Sequence, residues 1–388
     1  MSAHETQSPH ARRPIRILAI AGARPNFMKI APLMTELLRR RDRFEPILVH
    51  TGQHYDAAMS ESFFRDLGIP EPDVNLGVGS GSHAEQTAQV LVAIEKLLVE
   101  RRPDIVLVVG DVNSTVAATL AAVKLQIPVA HVEAGLRSGD RTMPEEINRI
   151  LTDAVSEWLF TTEPAAETNL RHEGVPGEKI HFVGNVMIDT LLAHRERAQR
   201  LDTLARLGLT PRGYAVLTLH RPSNVDSPDQ LRRLFGVLSR LGERIPVVFP
   251  VHPRTRNAIE KNLQGERIGL RMTEPLGYLE FLRLLMDAQM VLTDSGGIQE
   301  ETTALGVPCL TLRANTERPV TVTEGTNTVV GTDPSAIETA IEKRLAAPWP
   351  AERRPSLWDG RAAERIVDVL ERDLSERMAA SDSTSSHA

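Results

Sequence analysis

The sequence predicts an α/β protein made of two doubly wound, Rossmann-like domains that face each other across a cleft. Three observations predict this fold. Short β-branched apolar runs recur along the chain, stretches with helical spacing separate most of them, and the whole alternation occurs twice. Continuous apolar runs are typical of strands buried on both faces, and their alternation with helices indicates parallel sheets covered by helices.

The predicted strands end at polar or glycine residues, as parallel strands of such sheets usually do. In the first half the runs are IRILAIAG (15–22), PILVHTG (46–52), DIVLVVGD (104–111), PVAHVEAG (128–135), LFTTE (159–163) and IHFVGN (180–185). In the second half they are AVLTLHR (215–221), PVVFPVH (246–252), GLRM (269–272), MVLTDSGG (290–297), CLTLR (309–313) and TVVGT (328–332). Stretches with helical spacing cover 27–40, 83–101, 113–125, 230–243 and 278–288.

A chain of 388 residues is long enough for two or three domains. The polar, Arg-rich stretch 194–212 separates the two halves. The predicted organisation begins with a disordered tail over 1–14, an N-terminal domain over 15–195 and a C-terminal domain with the nucleotide site over 196–355. A terminal helix over 356–378 that crosses back to the N-terminal domain and a disordered tail over 379–388 follow.

Composition excludes several classes of function. The formal net charge of −6 offers no cationic excess to a nucleic acid backbone. A single cysteine, Cys309, excludes an intrachain disulfide framework and fits a reducing compartment, so a cytoplasmic protein is expected. No apolar run approaches the roughly 20 residues of a membrane span, and no metal-ligand spacing occurs, so neither a membrane nor a bound metal is expected.

Ligands of open α/β sheets bind beyond the carboxyl ends of the strands, where this chain carries unusually polar residues. In LTDSGGIQEE (292–301), Ser295, Gly296 and Gly297 precede a predicted helix, and its free N–H groups would cradle a diphosphate. Glu301, one turn further, is placed to accept hydrogen bonds from ribose. The alternative is an ordinary strand–helix turn without a ligand.

The first strand–helix turn, AGARPNFMK (21–29), carries Arg24 and Lys29 and so suits an anion. It has one glycine and lacks the GxGxxG fingerprint, so no nicotinamide cofactor is expected, and no other cofactor is required. A solvated basic surface is the alternative interpretation.

Three carboxylates are candidates for acid and base chemistry: Asp111 ends VLVVGD, Glu133 ends VAHVE, and Glu145 opens the helix of MPEEINRI. If they converge in one cleft, they are expected to raise one another's pKa. His220 and Arg318 stand where a diphosphate on the 295–297 turn could be reached. Each of these residues alone could equally cap a helix or stabilise a turn.

Ten motifs in order resemble the non-hydrolysing UDP-N-acetylglucosamine 2-epimerases. They are GARPNFMKIAP, TGQHYD, VVGDVNST, HVEAGLRS, MPEEINR, VGNVMID, LTLHRPSN, PVHPRT, LTDSGGIQEE and TERP, between about residues 15 and 375. The resemblance implies a two-domain fold of the GT-B type and a reversible isomerisation of UDP-N-acetylglucosamine to UDP-N-acetylmannosamine. This reaction would pass through a 2-acetamidoglucal and supply precursors of glycans or polysaccharides. A homodimer is also implied.

The resemblance also assigns roles to individual residues. Catalytic roles fall on Asp111, Glu133, Glu145 and His220, and substrate contacts on Arg24, Lys29, Leu276, Phe281, Ser295, Gly296, Gly297, Glu301 and Arg318. Bacterial members are often activated by UDP-N-acetylglucosamine at a second site, and Gln53 and His54 lie in a motif compatible with that role. Asn26 and the MPEE segment depart from the usual family motifs, so the choice among UDP-sugars stays open.

Three rival functions share parts of this pattern. A GT-B glycosyltransferase would share the diphosphate cradle but needs at most one catalytic base. A hydrolysing epimerase would release free N-acetylmannosamine and UDP, and it differs only in how water is excluded. A catalytically inactive sugar-nucleotide sensor would not need three carboxylates and a histidine together.

Overall fold

The computed structural model describes residues 13–52, 67–266, 268–350 and 353–385, which form two parallel sheets with helices on their faces. The strands of the N-terminal sheet are β1 (Ile15–Ala21), β2 (Phe44–His50), β3 (Val74–Asn75), β4 (Ile105–Val109), β5 (Val129–Ala134), β6 (Trp158–Thr161) and β7 (Ile180–Phe182). Those of the C-terminal sheet are β8 (Ala215–Thr218), β9 (Val247–Pro250), β10 (Arg271–Thr273), β11 (Met290–Thr293), β12 (Cys309–Thr311) and β13 (Asn327–Val329).

Helices follow most of the strands. In the first half they are α1 (Arg24–Arg39), α2 (His83–Arg101), α3 (Asn113–Lys124), α4 (Pro144–Val155), α5 (Pro164–His172) and α6 (Val186–Gln199). In the second half they are α7 (Thr203–Arg206), α8 (Pro222–Val225), α9 (Pro228–Gly242), α10 (Pro253–Asn262), α11 (Tyr278–Met286), α12 (Gly296–Leu305), α13 (Val320–Thr323), α14 (Pro334–Ala346) and α15 (Ala362–Ser385).

Both sheets reverse their strand order at one point. The N-terminal sheet has the order β3-β2-β1-β4-β5-β6-β7, and the C-terminal sheet has the order β10-β9-β8-β11-β12-β13. The reversals lie between β1 and β4 and between β8 and β11, and every pairing in both sheets is parallel. A crevice opens beyond the carboxyl ends of the strands at such a switch point. The predicted α/β architecture is confirmed.

The central strands are buried along their length, as strands covered on both faces must be. Every residue of β4, β5 and β11 is buried. One apolar cluster extends from β1 through Ile188 and Leu191 of α6 to Leu282 of α11. Because α6 packs against helices of both halves, this cluster fixes how the two sheets lie relative to each other.

The terminal helix α15 returns to the N-terminal half. Leu370 and Leu374 of this helix belong to the apolar cluster around α1. The carboxylate of Asp189, on α6, accepts hydrogen bonds from the amides of Ala362 and Ala363 at 3.2 and 2.8 Å and so caps the helix start. Burial raises the pKa of Asp189 to about 6.

The expectation about the C-terminal end of the chain needs correction. The helix runs from Ala362 to Ser385, so the disordered tail expected from residue 379 is wrong over 379–385. Ala379 and Ala380 are good helix formers and carry the helix past the last apolar contact. Of the N-terminal tail, Arg13 and Pro14 are described, and Arg13 forms an ion pair with Asp104 at 2.6 Å.

None of the described helices has the length and apolarity needed to cross a membrane.

Candidate active site

A cavity of about 550 Å³ lies between the two switch points, and residues of both halves line it. Most of the residues selected from the sequence meet there: Lys29, Asp111, Glu145, His220, Leu276, Phe281, Ser295, Gly296, Gly297, Glu301 and Arg318. Arg24 is the first residue of α1, at the same edge of the sheet. Glu133 lies behind the cavity wall, and Gln53 and His54 lie outside the described residues.

Asp111 enters the cavity from the loop after β4, and Arg149 holds its side chain. The guanidinium of Arg149 pairs with Asp111 and, at 2.6 Å, with Glu146, and it is almost completely buried. Asn148 donates a hydrogen bond of 2.9 Å to the backbone carbonyl of Asp111. The carboxylate of Asp111 is therefore half-buried and fixed, with one side facing the cavity. Sequence analysis did not select Arg149, although its spacing of four residues from Glu145 on one helix could have revealed it.

Glu133 reaches the site through an irregularity in β5. The β5–β6 register shifts between Val132 and Ala134, and Glu133 has a φ of +73°, which is uncommon for a residue with a side chain. Such backbone strain often occurs at functional sites. Glu133 forms ion pairs with Lys29 and, at 2.8 Å, with Arg318.

The charges around Glu133 decide its protonation state. Burial alone would raise the pKa of Glu133, but the positive charges of Lys29 and Arg318 lower it. The expectation that converging carboxylates raise one another's pKa is therefore wrong for Glu133, because it pairs with two buried cations. Glu133 is an ionised carboxylate at neutral pH.

Arg318 connects the two halves of the site. Its guanidinium lies in the C-terminal half and contacts Glu133 of the N-terminal half, together with Glu300 at 2.9 Å and Glu317 at 2.6 Å. The side chain is buried but borders the cavity. Arg318 was selected as a substrate contact, and the structure adds three carboxylate partners that hold it in place.

The start of α12 forms the opposite wall of the cavity. The helix begins at Gly296, and the first N–H groups of any helix lack partners within it. A Cβ atom on Gly296 would lie 2.5 Å from Nη1 of Arg318 and 2.8 Å from Oε1 of Glu317. Glycine is therefore required where the guanidinium approaches the backbone. The helix start and Arg318 together offer N–H donors and positive charge to an anion.

His220 stands beside this helix start, and Asp294 fixes its backbone. The buried Asp294 carboxylate accepts hydrogen bonds from the amides of His220 and Arg221 at 3.1 and 2.9 Å. It also accepts a hydrogen bond of 3.1 Å from the side chain of Asn224. The imidazole of His220 remains 53% exposed, with Nδ1 at 3.2 Å from Asp294. The ring is thus positioned at the cavity but free to reach a bound anion.

Glu301 lies deeper in the cavity wall, next to Tyr278 on α11. Burial, assisted by the charge of Glu300, raises the pKa of Glu301 to about 8. At neutral pH this carboxyl group is mostly protonated and can both donate and accept hydrogen bonds. Leu276 and Phe281 also line the cavity and pack against an apolar cluster of the C-terminal half.

Substituting Gly296 with alanine tests the anion site directly. We expect the affinity for UDP to fall by about 10- to 100-fold, because one or two charge-assisted hydrogen bonds are lost when Arg318 is displaced. Gly297→Ala is the matched control, since its Cβ would meet only the flexible Sδ–Cε end of Met187, at 3.0 Å from Cε, and a smaller loss is expected. Isothermal titration with UDP measures both variants. Equal affinities for the wild type and Gly296→Ala would contradict the assignment.

The sequence of this chain is similar to those of known proteins. The family model for UDP-N-acetylglucosamine 2-epimerase matches residues 36–371. A UDP-N-acetylglucosamine 2-epimerase of Methanococcus maripaludis is 42% identical over 367 residues, covering 92% of this chain and 98% of that protein. A UDP-2,3-diacetamido-2,3-dideoxy-D-glucuronate 2-epimerase of Pseudomonas aeruginosa is 45% identical over 321 residues, covering 82% of this chain and 88% of that protein.

A solved structure is also similar. The Methanocaldococcus jannaschii UDP-GlcNAc 2-epimerase, crystallised with UDP-GlcNAc and UDP, has a TM-score of 0.85 and 40% sequence identity, and the match covers 92% of this chain and 99% of that one. These similarities confirm the predicted family and the predicted enzyme class, an isomerase. The chain therefore belongs to the UDP-N-acetylglucosamine 2-epimerase family.

Proposed function

We propose that this enzyme interconverts UDP-N-acetylglucosamine and UDP-N-acetylmannosamine by elimination and re-addition of UDP. The observation that carries the proposal is the division of the cavity into two chemically different walls. One wall presents a helix start, Arg318 and His220 to an anion, and the other presents Asp111 and Glu145, with Glu133 behind it. An elimination that expels a diphosphate and moves a proton needs both walls.

The reaction begins with cleavage of the anomeric bond. The hydrogen on C2 is hardly acidic because it is not next to a carbonyl group, so the C1–O bond must lead and C1 gains oxocarbenium character. The electron pair of that bond leaves on the β-phosphate oxygen of UDP. A carboxylate takes the C2 proton, and a C1–C2 double bond forms to give 2-acetamidoglucal. Stabilising the departing diphosphate is then the main source of catalysis.

Re-addition reverses these changes with one difference. The diphosphate oxygen attacks C1 again, and a proton is delivered to the opposite face of C2, so that the configuration at C2 is inverted. Asp111, Glu133 and Glu145 share removal and return of the proton. The helix start at Ser295–Gly297, together with Arg318 and His220, holds UDP throughout. Lys29 keeps the carboxylate of Glu133 charged.

The nucleoside is proposed to occupy the part of the cavity beside α11. Leu276 and Phe281 border the uracil ring, and Glu301 binds the ribose hydroxyls as both donor and acceptor. This placement puts the anomeric carbon between the two walls, where the carboxylates can reach C2. A substrate contact by Arg24 stays a prediction.

A second candidate substrate is UDP-2,3-diacetamido-2,3-dideoxy-D-glucuronate. The Pseudomonas aeruginosa epimerase of that sugar is as similar to this chain as the UDP-N-acetylglucosamine epimerases are. The same elimination would apply, since the chemistry at C1 and C2 is unchanged. Comparing kcat/KM for the two sugars decides between them.

Further parts of the proposal concern the protein as a whole. We propose a homodimer in the cytoplasm that supplies precursors for glycan or polysaccharide synthesis. We also propose that the N-terminal domain spans 15–195 and the C-terminal domain spans 196–355, with the terminal helix crossing back to the N-terminal domain. Sedimentation velocity measures the oligomeric state. A role for Gln53 and His54 in activation by UDP-N-acetylglucosamine stays a prediction.

Incubation with UDP-N-acetylglucosamine in deuterated water tests the function. The proposal predicts UDP-N-acetylmannosamine that carries deuterium at C2, detected by proton NMR. Free N-acetylmannosamine and UDP would identify a hydrolysing epimerase instead. If UDP-N-acetylglucosamine stays unchanged, the same assay is run with UDP-2,3-diacetamido-2,3-dideoxy-D-glucuronate. Turnover of that sugar would favour the second candidate substrate, and no turnover of either sugar would favour a glycosyltransferase or an inactive sensor.

A further inference from the structure

Two buried side chains form an ion pair behind the carboxylate wall, and neither of them borders the cavity. His131 lies on β5 and Asp153 near the end of α4, and their side chains are 0% and 1% exposed. Nδ1 of His131 is 2.6 Å from Oδ1 of Asp153. A pair buried this completely, two residues from Glu133, is either an element of the core or part of the site.

The second ring nitrogen of His131 points to the chain segment that carries Asp111. Nε2 lies 2.8 Å from the backbone carbonyl of Gly110, the residue directly before Asp111. Gly110 has a φ of +66°, and its amide donates to the carbonyl of Val132 at 3.0 Å. A carboxylate and a backbone carbonyl both accept hydrogen bonds, so each ring nitrogen of His131 faces an acceptor. His131 therefore ties the β4 loop to β5.

The second oxygen of Asp153 holds the chain on the other side of Glu133. Oδ2 accepts a hydrogen bond of 3.0 Å from the amide of Gly135 and lies 2.8 Å from Nη1 of Arg137. Gly135 has a φ of +78°, and a Cβ there would lie 2.5 Å from the carbonyl oxygen of Ala166. The backbone after the β-bulge is thus held in one conformation.

Helix α4 organises this arrangement through its spacing. Glu145, Arg149 and Asp153 follow one another at intervals of four residues and so share one face of the helix. Glu145 borders the cavity, Arg149 pairs with Asp111, and Asp153 pairs with His131. One rigid helix thereby sets the positions of all three candidate carboxylates.

We propose that His131 and Asp153 form a positioning pair that fixes the backbone at Asp111 and Glu133 for proton transfer at C2. This inference rests on the proposed function. The pair touches no substrate and acts only through Gly110 and Gly135. A supporting observation is that His131 adds to Lys29 and Arg318 in lowering the pKa of Glu133 against the effect of burial.

Asp153→Asn tests the proposal, because it preserves shape while removing the carboxylate oxygen that contacts Nδ1 of His131. We expect kcat to fall by roughly 10- to 100-fold, as displacement of a reacting group by about 1 Å can cost that much. KM and the affinity for UDP should stay within about twofold of wild type, since the anion site lies on the other half. A purely structural role would lower the melting temperature without this separation of kcat from KM.

Arg137→Gln is the matched control. Arg137 contacts the same carboxylate as His131 but points away from the site, toward Glu173. Its kcat should stay within about twofold of wild type. An Asp153→Asn variant with the kcat of wild type would overturn the proposal, and so would an equal loss of kcat in Arg137→Gln.

A measurement on the wild type keeps the proposal testable if Asp153→Asn fails to fold. Nitrogen-15 NMR of histidine-labelled protein, with His131→Gln used for assignment, should show a hydrogen bond at each ring nitrogen of His131. A ring nitrogen without a hydrogen bond would overturn the proposal, since His131 could not then tie Gly110 to Asp153. Wild type without epimerase activity counts against the proposed function, whereas an active wild type in which one of these hydrogen bonds is missing counts against the pair alone.

Discussion

Substituting Asp111 with asparagine is expected to lower kcat by about 10²–10⁴-fold, the range in which a general acid or base usually contributes. Asp111 lines the cavity from the N-terminal half, as Glu145 does. Asparagine has nearly the same shape but can neither take nor return a proton. KM should change little, because the diphosphate contacts lie on the opposite wall.

The fold should tolerate this change. Asp111 is half-buried, and Arg149 keeps its second partner, Glu146, at 2.6 Å. The matched control is Glu146→Gln, which removes the other carboxylate partner of Arg149 without altering the cavity wall. We expect it to lower the melting temperature more than Asp111→Asn and to keep most of the activity. Steady-state kinetics and thermal unfolding measure both variants, and wild-type turnover by Asp111→Asn would remove Asp111 from the mechanism.

Glu133→Gln is expected to abolish measurable epimerisation and to destabilise the protein as well. The carboxylate is buried and neutralises Lys29 and Arg318. Removing one partner of a buried ion pair usually costs about 3–5 kcal/mol of unfolding free energy, because a charge is left without compensation. This loss of unfolding free energy should exceed the loss caused by Asp111→Asn, because Arg149 stays paired with Glu146 in that variant. Denaturant unfolding monitored by circular dichroism measures it.

A double variant separates the two effects of Glu133→Gln. Adding Lys29→Gln removes the cation that Glu133→Gln leaves without its carboxylate partner. Arg318 keeps Glu300 and Glu317 as partners in both variants. The double variant should regain part of the lost stability but none of the activity. Restored turnover would mean that Glu133 serves only to balance charge and takes no part in proton transfer.

The sequence could predict the residues that follow strands because two simple rules place them. Apolar runs identify parallel strands, and the carboxyl ends of parallel strands share one edge of the sheet. Asp111, Lys29, His220 and the glycines at 296 and 297 all meet at the cavity for this reason. Arg318 was selected from its place after the predicted strand CLTLR, whereas Leu276 and Phe281 came from the family resemblance, since no local pattern selects them.

Other features of the site depend on tertiary contacts that no local pattern encodes. Glu133 occupies a strand position, and only the register shift and the left-handed φ turn it toward Lys29 and Arg318. The raised pKa of Glu301 comes from burial and from Glu300, so a sequence-based interpretation as a plain hydrogen-bond acceptor was incomplete. Asp153 lies eight residues after Glu145, and only the folded helix shows that they share a face.

The central claim is that the bond between the anomeric carbon and the diphosphate oxygen breaks and re-forms in this cavity. UDP-N-acetylglucosamine labelled with oxygen-18 in that bridging position tests it most directly, with phosphorus NMR as the readout. The account predicts that the label spreads to the non-bridging oxygens of the β-phosphate during epimerisation, because the freed phosphate can rotate before it adds again. UDP-N-acetylmannosamine that retains the entire label in the bridge would contradict it.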